Sequence, residues 1–149
     1  MPLDTDVTVS ADPALLDVDR IAGWLAGSYW AHDRDRATVE RSLAGSLTWG
    51  AYLSGSQVGL TRAVTDRATF AWLCDVVVDE AWRGHGIGHR MVGTVVEELR
   101  AIGVSRIVLT TRDAHRVYAD LGFSTLRVPA TWMEIDTRAT RPDPQDVRL

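Results

Sequence analysis

Phe70-Ala71-Trp72-Leu73-Cys74-Asp75-Val76-Val77-Val78 runs, by way of Asp79-Glu80-Ala81-Trp82, into Arg83-Gly84-His85-Gly86-Ile87-Gly88, and the fold of this 149-residue chain reads outward from there. The first nine residues are apolar on both faces apart from Asp75, as expected of a central strand covered on both sides. The last six place three glycines at the start of a helix, about Gly88 to Ala101, whose Met91, Val92, Val95, Val96 and Leu99 form one stripe. Gly103 then suits the left-handed conformation that ends a helix. A glycine-rich turn at a helix start aims several backbone N–H groups at one point, and the helix dipole adds positive potential there. Residues 83–88 are therefore expected to hold a phosphate-bearing cofactor or substrate.

Downstream, Arg106-Ile107-Val108-Leu109-Thr110-Thr111 is a short buried strand that can lie parallel to 70–78, which makes 70–111 a β-α-β unit. Upstream the period is two: Leu47 to Leu53 and Val58 to Val64 are strands joined at Ser54-Gly55-Ser56, and Asp66-Arg67-Ala68 makes the next turn. Val7 and Val9 mark a short edge strand. Asp12-Pro13 predicts a helix start, with helical recurrence to about Ser28, and Val39, Leu43 and Ala44 mark a second helix. Near the end, Asp113 is expected to cap a helix over Ala114 to Leu121. Phe123 to Leu126 and Trp132 to Ile135 are expected to be final strands. The reading is an α/β domain over residues 1–136, a mixed, mostly antiparallel sheet with about four helices, and a polar tail over 137–149.

Composition narrows the function. The chain is 46% hydrophobic and 24% charged, which is ordinary for a soluble globule. A net charge of −4 argues against a nucleic-acid partner, which normally needs a basic face. Cys74, the single cysteine, excludes an internal disulfide and fits a reducing compartment. No leader pattern opens the chain and no apolar run is long enough to span a bilayer, so a cytoplasmic protein without membrane contact is expected.

Three phosphate-binding patterns compete for residues 83–88. A nucleotide P-loop ends in Gly-Lys-Ser/Thr, and His89-Arg90 after Gly88 rules it out. A dinucleotide fingerprint needs Gly-x-Gly-x-x-Gly, and glycines at 84, 86 and 88 after an antiparallel meander fit it poorly. The third pattern fits: Arg83-x-x-Gly86-x-Gly88 after an apolar strand resembles the acetyl-CoA pyrophosphate loop of the GNAT superfamily of N-acetyltransferases. Ala114-His115-Arg116-Val117-Tyr118-Ala119-Asp120-Leu121-Gly122-Phe123 resembles that superfamily's second motif, an alanine before an apolar-Tyr pair on a helix ending Leu-Gly-Phe. The resemblance covers about residues 5–136. It is nearest to a bacterial subgroup that also carries stretches like Ser28-Tyr29-Trp30, Asp66-Arg67-Ala68-Thr69-Phe70 and Thr111-Arg112-Asp113-Ala114-His115. Thr111 stands where many members have Asn, and His85 replaces the more usual Arg or Lys between the glycines.

The resemblance implies direct transfer of acetyl from acetyl-CoA to a primary amine, of a small molecule, an amino acid, a peptide N-terminus or a lysine. It implies that Arg83, Gly84, His85, Gly86, Ile87 and Gly88 hold the pyrophosphate, that Val76 and Val78 pair with the pantetheine amides, and that an N–H around Val77 faces the thioester oxygen. Tyr118, by its place in the second motif, would touch the cofactor and act as general acid. A phenol of pKa near 10 stays protonated at neutral pH and can supply a departing thiolate, whose parent thiol has a pKa of about 8.5. Relatives that pair through sheet edges or final strands make a homodimer compatible with the chain.

An amine of pKa about 10 must also lose a proton before it attacks. Asp75 is the one acid in its strand, and a buried carboxylate without a partner is costly. It either pairs with Arg62 or Arg67 across the hairpin or faces the acceptor as general base. Tyr29, Trp30 and His32 lie in the segment that, by the resemblance, shapes the acceptor pocket; covering the sheet edge is the other reading. Asp33-Arg34-Asp35-Arg36 reads as a solvated face and Cys74 as a small core residue. The histidines have no metal-ligand spacing, and no metal is expected. The alternative of a different class is a non-catalytic acyl-CoA sensor or interaction module of the same fold.

Overall fold

In the computed structural model, which describes residues 6–139, 141 and 143–147, the period-two segments join one sheet. β1 (Val7–Ser10), β2 (Leu47–Leu53), β3 (Ser56–Thr65), β4 (Phe70–Val78) and β5 (Arg106–Leu109) lie side by side in that order. The first three pairings are antiparallel and β4–β5 is parallel, the mixed sheet that the patterning predicts. The hairpin between β2 and β3 turns on Ser54 (φ 49°) and Gly55 (φ 82°), the pair of positive φ angles a two-residue loop needs. Asp66 closes the next turn by accepting the N–H groups of Ala68, Thr69 and Phe70.

Helices cover both faces. α1 (Val18–Ala26) and α2 (Arg36–Ala44) bury Ile21, Leu25, Val39 and Leu43 against Leu60 and Val77. α3 (Ile87–Ala101) covers the other face, where Ile87 and Met91 meet Val7, Ala51, Leu53 and Val58, with Val76 and Val78 packed alongside. Each such side chain contributes about 1.5–3 kcal/mol on burial, so the two apolar layers clamp β4 from both sides. α3 ends as expected: Gly103 takes φ 97°, and the N–H of Val104 reaches back to the Leu99 carbonyl.

The first helix differs from the sequence expectation. Asp12 caps only a single turn, Pro13–Leu15, and Leu16 is extended. Asp17 then caps α1, accepting the Arg20 N–H at 3.1 Å, while its own N–H donates to Gln57 Oε1 at 2.7 Å. A second Asx cap, tied to β3 through Gln57, overrides the helical recurrence between Pro13 and Asp17.

Packing divides the chain into two compact units, Met1–Thr110 and Thr111–Leu149. The second holds α4 (His115–Asp120), where Thr111 Oγ1, and not Asp113 as expected, accepts the Ala114 N–H at 3.0 Å. Gly122, at φ 97°, ends the helix. The two final strands expected at Phe123–Leu126 and Trp132–Ile135 are not formed: among the described residues no strand follows Leu109. Pro129–Thr131 is a helical turn, and Met133 and Ile135 are 96% and 97% exposed. Alternation makes a strand only where a neighbouring ladder takes up its N–H and C=O groups, and this unit presents none. The expected tail is exposed where described, with a turn at Pro144–Asp146. Residues 1–5 of the expected domain and 140, 142, 148 and 149 of the tail lie outside the described residues.

Candidate active site

β4 outlasts its parallel neighbour. β5 ends at Leu109, opposite Leu73, so among the described residues β4 is laddered from Cys74 to Val78 to β3 alone. Within that length the register with β3 slips: Leu60 faces Val77 and Arg62 faces Cys74, leaving Thr61 opposite both Asp75 and Val76. Asp75 carries the bulge at φ 50°. Bulges bend a strand and re-aim its side chains, commonly beside functional sites. Here Val76 and Val78 lean on the α3 layer, and Asp75 and Val77 face α1 and α2.

Past Val78 the chain makes one helical turn, Glu80–Trp82, and enters the glycine stretch. Arg83 Nε donates to the Val78 carbonyl at 3.1 Å, holding the turn to the strand end. His85 Nδ1 lies 3.1 and 3.0 Å from the carbonyl oxygens of Trp82 and Arg83, which only accept, so Nδ1 carries the proton. Gly84 and Gly86 have φ 81° and 78°, and a Cβ on either would meet nothing within 4 Å. Gly86 stands at the N-cap of α3 with no capping side chain, and the first turn holds no acid. The first bond within the helix runs from the Arg90 N–H to the Gly86 carbonyl, so the amides of Ile87, Gly88 and His89 precede it. Open space before a left-handed turn, forward-facing amides and no competing carboxylate are what a pyrophosphate needs, and the residues present fit one.

Asp75, at 3% exposure, sits in a nest of donors. Arg34 Nη1 reaches its Oδ1 and Oδ2 at 3.0 and 2.8 Å, Arg62 Nε reaches Oδ2 at 2.9 Å, and Trp30 Nε1 reaches Oδ1 at 2.9 Å. Arg62 also donates to Ser46 Oγ at 2.9 Å. Burial, the largest single influence, raises the carboxyl pKa, but the charges and hydrogen bonds of Arg62 and Arg34 together outweigh it and leave it below the ordinary value. Of the two sequence readings, pairing is the one found, with Arg62 and not with Arg67, which sits in the Asp66 turn at φ 60°. The catalytic role expected for Asp75 as proton acceptor meets a geometry suited to the opposite: a carboxylate whose lone pairs are all engaged and whose pKa is depressed is a poor base.

Trp30 packs against the α1–α2 core layer and anchors its loop to β4 through Asp75. Tyr29 stands edge-on to it, ring centroids 4.9 Å apart, and is 38% exposed; His32 is exposed. Tyr118 belongs to α4 in the second unit, its ring edge-on to Phe123 at 5.9 Å. Cys74 is pushed up to about 11, first by burial, and is no nucleophile at neutral pH. Arg34 is the residue that sequence reasoning missed: inside an alternating Asp-Arg run it resembles any surface arginine. The available signal was Asp75, a buried acid with more lone pairs than Arg62 alone fills.

The sequence model of the Acetyltransferase (GNAT) family matches residues 14–123. The chain belongs to this family. The match runs past Thr110 and takes in residues of both units. A Gibberella zeae protein named "Putative acetyltransferase FG08082" is 32% identical over 144 residues, covering 82% of this chain and 81% of its own. A solved Xanthomonas campestris pv. campestris protein, described as "a putative acetyltransferase belonging to the GNAT family", superposes with a TM-score of 0.83 at 37% identity, covering 88% of this chain and 93% of that one. The Mycobacterium tuberculosis protein Rv2747, solved in complex with CoA, shares the fold with a TM-score of 0.65 at 24% identity, over 80% of this GNAT chain and 73% of its own. Among the described residues no helix is long and apolar enough to cross a membrane.

Proposed function

We propose that this GNAT acetyltransferase moves the acetyl group of acetyl-CoA directly to the nitrogen of a primary amine, in the cytoplasm. The observation that carries the reading is the continuity of two features: β4 ends in residues 74–78, which have no parallel partner among the described residues, and that end leads straight into the glycine turn at 83–88. A ligand with amides at one end and a pyrophosphate at the other matches that order, and coenzyme A is such a ligand. The backbone of Val76 and Val78 pairs with the pantetheine amides, and the amide at Val77 opposes the thioester oxygen as it gains charge. The first turn of α3, with Arg83 and His85 beside it, holds the pyrophosphate and takes no part in the chemistry.

Tyr29, Trp30 and His32 shape the acceptor site. Tyr118, placed by its motif, protonates the departing thiolate. Asp75 is a positioning residue: it fixes Trp30 and Arg34 against the bulge, and the proton of the incoming ammonium leaves through water. The test is a pair of measurements. Acetyl-CoA should raise the melting temperature where ATP and NAD do not, and an amine panel should release free thiol from acetyl-CoA. Tyr118→Phe should lower kcat by about 10²-fold or more at unchanged acetyl-CoA affinity. Stabilisation by ATP or NAD alone would refute the cofactor. Binding of acetyl-CoA without thiol release from any amine would make the protein a sensor.

A further inference from the structure

We infer that the acceptor carries a carboxylate beside its amine and that Arg34 is the residue that recognises it; this rests on the transferase reading above. The first ground is a charge count. Two guanidinium groups, Arg34 and Arg62, share one carboxylate. All of its lone-pair positions are taken, two on each oxygen, so Asp75 neutralises one arginine and leaves a net positive charge. No second acid reaches Arg34 among the described residues. Asp35, next along the chain, turns instead to the N-terminus of α2, accepting the Thr38 N–H at 2.7 Å. The charges acting on neighbouring Cys74 are the same three, Arg62, Asp75 and Arg34.

The second ground is geometry. Arg34 engages Asp75 through Nη1 alone. Its Nε and Nη2 form the edge of the guanidinium that binds a carboxylate side-on through two parallel hydrogen bonds, and among the described residues that edge has no acceptor. The Arg34 side chain is 24% exposed, against 11% for Arg62, so it is Arg34 that solvent and ligand can reach. Its place is the third ground. Arg34 shares a loop with Tyr29 and Trp30 and is pinned to the bulge two residues before Val77, which brings its guanidinium to the stretch of β4 that runs past β5. An excess positive charge partly withdrawn from water is costly without a counter-ion, which a substrate carboxylate supplies.

The experiment uses the full chain with saturating acetyl-CoA and matched substrate pairs: an amino acid and the amine left by its decarboxylation, for aromatic, aliphatic and small side chains. Thiol release is measured for wild type, Arg34→Gln and Arg34→Lys. Wild type should favour the carboxylate-bearing member of its preferred pair by at least tenfold in kcat/KM. Arg34→Gln should bring that ratio towards one, mainly through KM, and Arg34→Lys should restore part of it. The acetyl-CoA KM should stay within twofold, which reports an intact fold. Equal or better use of the decarboxylated amines by wild type overturns the inference, and so does a ratio that survives Arg34→Gln. Thiol release from peptide lysines but from no member of any pair overturns it while leaving the transferase reading standing. Release from no amine at all overturns both.

Discussion

Replacing Asp75 with Asn tests how the bulge is held. The substitution keeps size and one acceptor oxygen but removes the charge that both arginines share. Breaking a buried ion pair by removing one partner costs about 3–5 kcal/mol. The loss here should be smaller, because Arg34 is 24% exposed and can turn to water and because Asn still accepts from Trp30. That places the destabilisation at about 2–3 kcal/mol, or about 4–12 °C in Tm for a chain of this size. Urea unfolding followed by tryptophan fluorescence measures it.

The pH dependence carries the mechanism. The Asp75 pKa is depressed in the folded state, so its stabilisation is fully present above the unfolded value of about 3.9 and fades as pH falls through the lower folded value. The gap between wild type and Asp75→Asn should therefore be flat from pH 5 to 8 and close only below about pH 4. The acidic limb of the pH–rate profile should survive in the variant. If Asp75→Asn melted within 1 °C of wild type and lost that limb, Asp75 would be the base and the positioning role would be refuted.

Gly86→Val forces a branched side chain into φ 78° at the mouth of the anion site, with open space where the ligand phosphate belongs. The acetyl-CoA KM should rise at least tenfold while the acceptor KM holds, as initial rates at crossed concentrations would show; equal effects on both would move the pyrophosphate elsewhere. Cys74, with its thiol pushed up to about 11, should resist iodoacetamide at pH 8 in the native protein and react once urea unfolds it. Rapid native labelling, read by mass spectrometry, would contradict its burial beside Arg62.

Much of this architecture is written in short-range patterns. The 70–78 run, the Ser54-Gly55 hairpin, the α3 stripe and the stop at Gly103 each depend on neighbours a few residues apart, and each folds as the residues predict. The start of α1 departs from the local pattern because Gln57, forty residues away, accepts the Asp17 N–H and fixes Asp17 as the cap. The last two strands failed for a related reason: alternation at Trp132–Ile135 says nothing about whether a ladder is on hand. In the site, the glycine turn was legible because φ angles and helix termini are local. Of the partners of Asp75, Arg62 was legible across the hairpin, whereas Arg34 and Trp30 were not, since they lie 41 and 45 residues away and only the folded loop brings them in.

The extra residue in β4 also has a consequence for parity. Partners across an antiparallel ladder share a face, so Leu73 lies with Ala63 on the α3 side and Cys74 with Arg62 on the α1–α2 side. Simple alternation would next send Asp75 and Val77 under α3, burying a carboxylate among Met91, Val92 and Val95. The bulge acts as a frame shift: Cys74 and Asp75 fall in succession towards the arginines, and every later side chain changes layer. A deletion of one residue here would exchange the two sides of the strand tip. Because that tip is valine throughout, the core would tolerate the exchange. The acid would not, and it is Asp75 that holds the strand to its count.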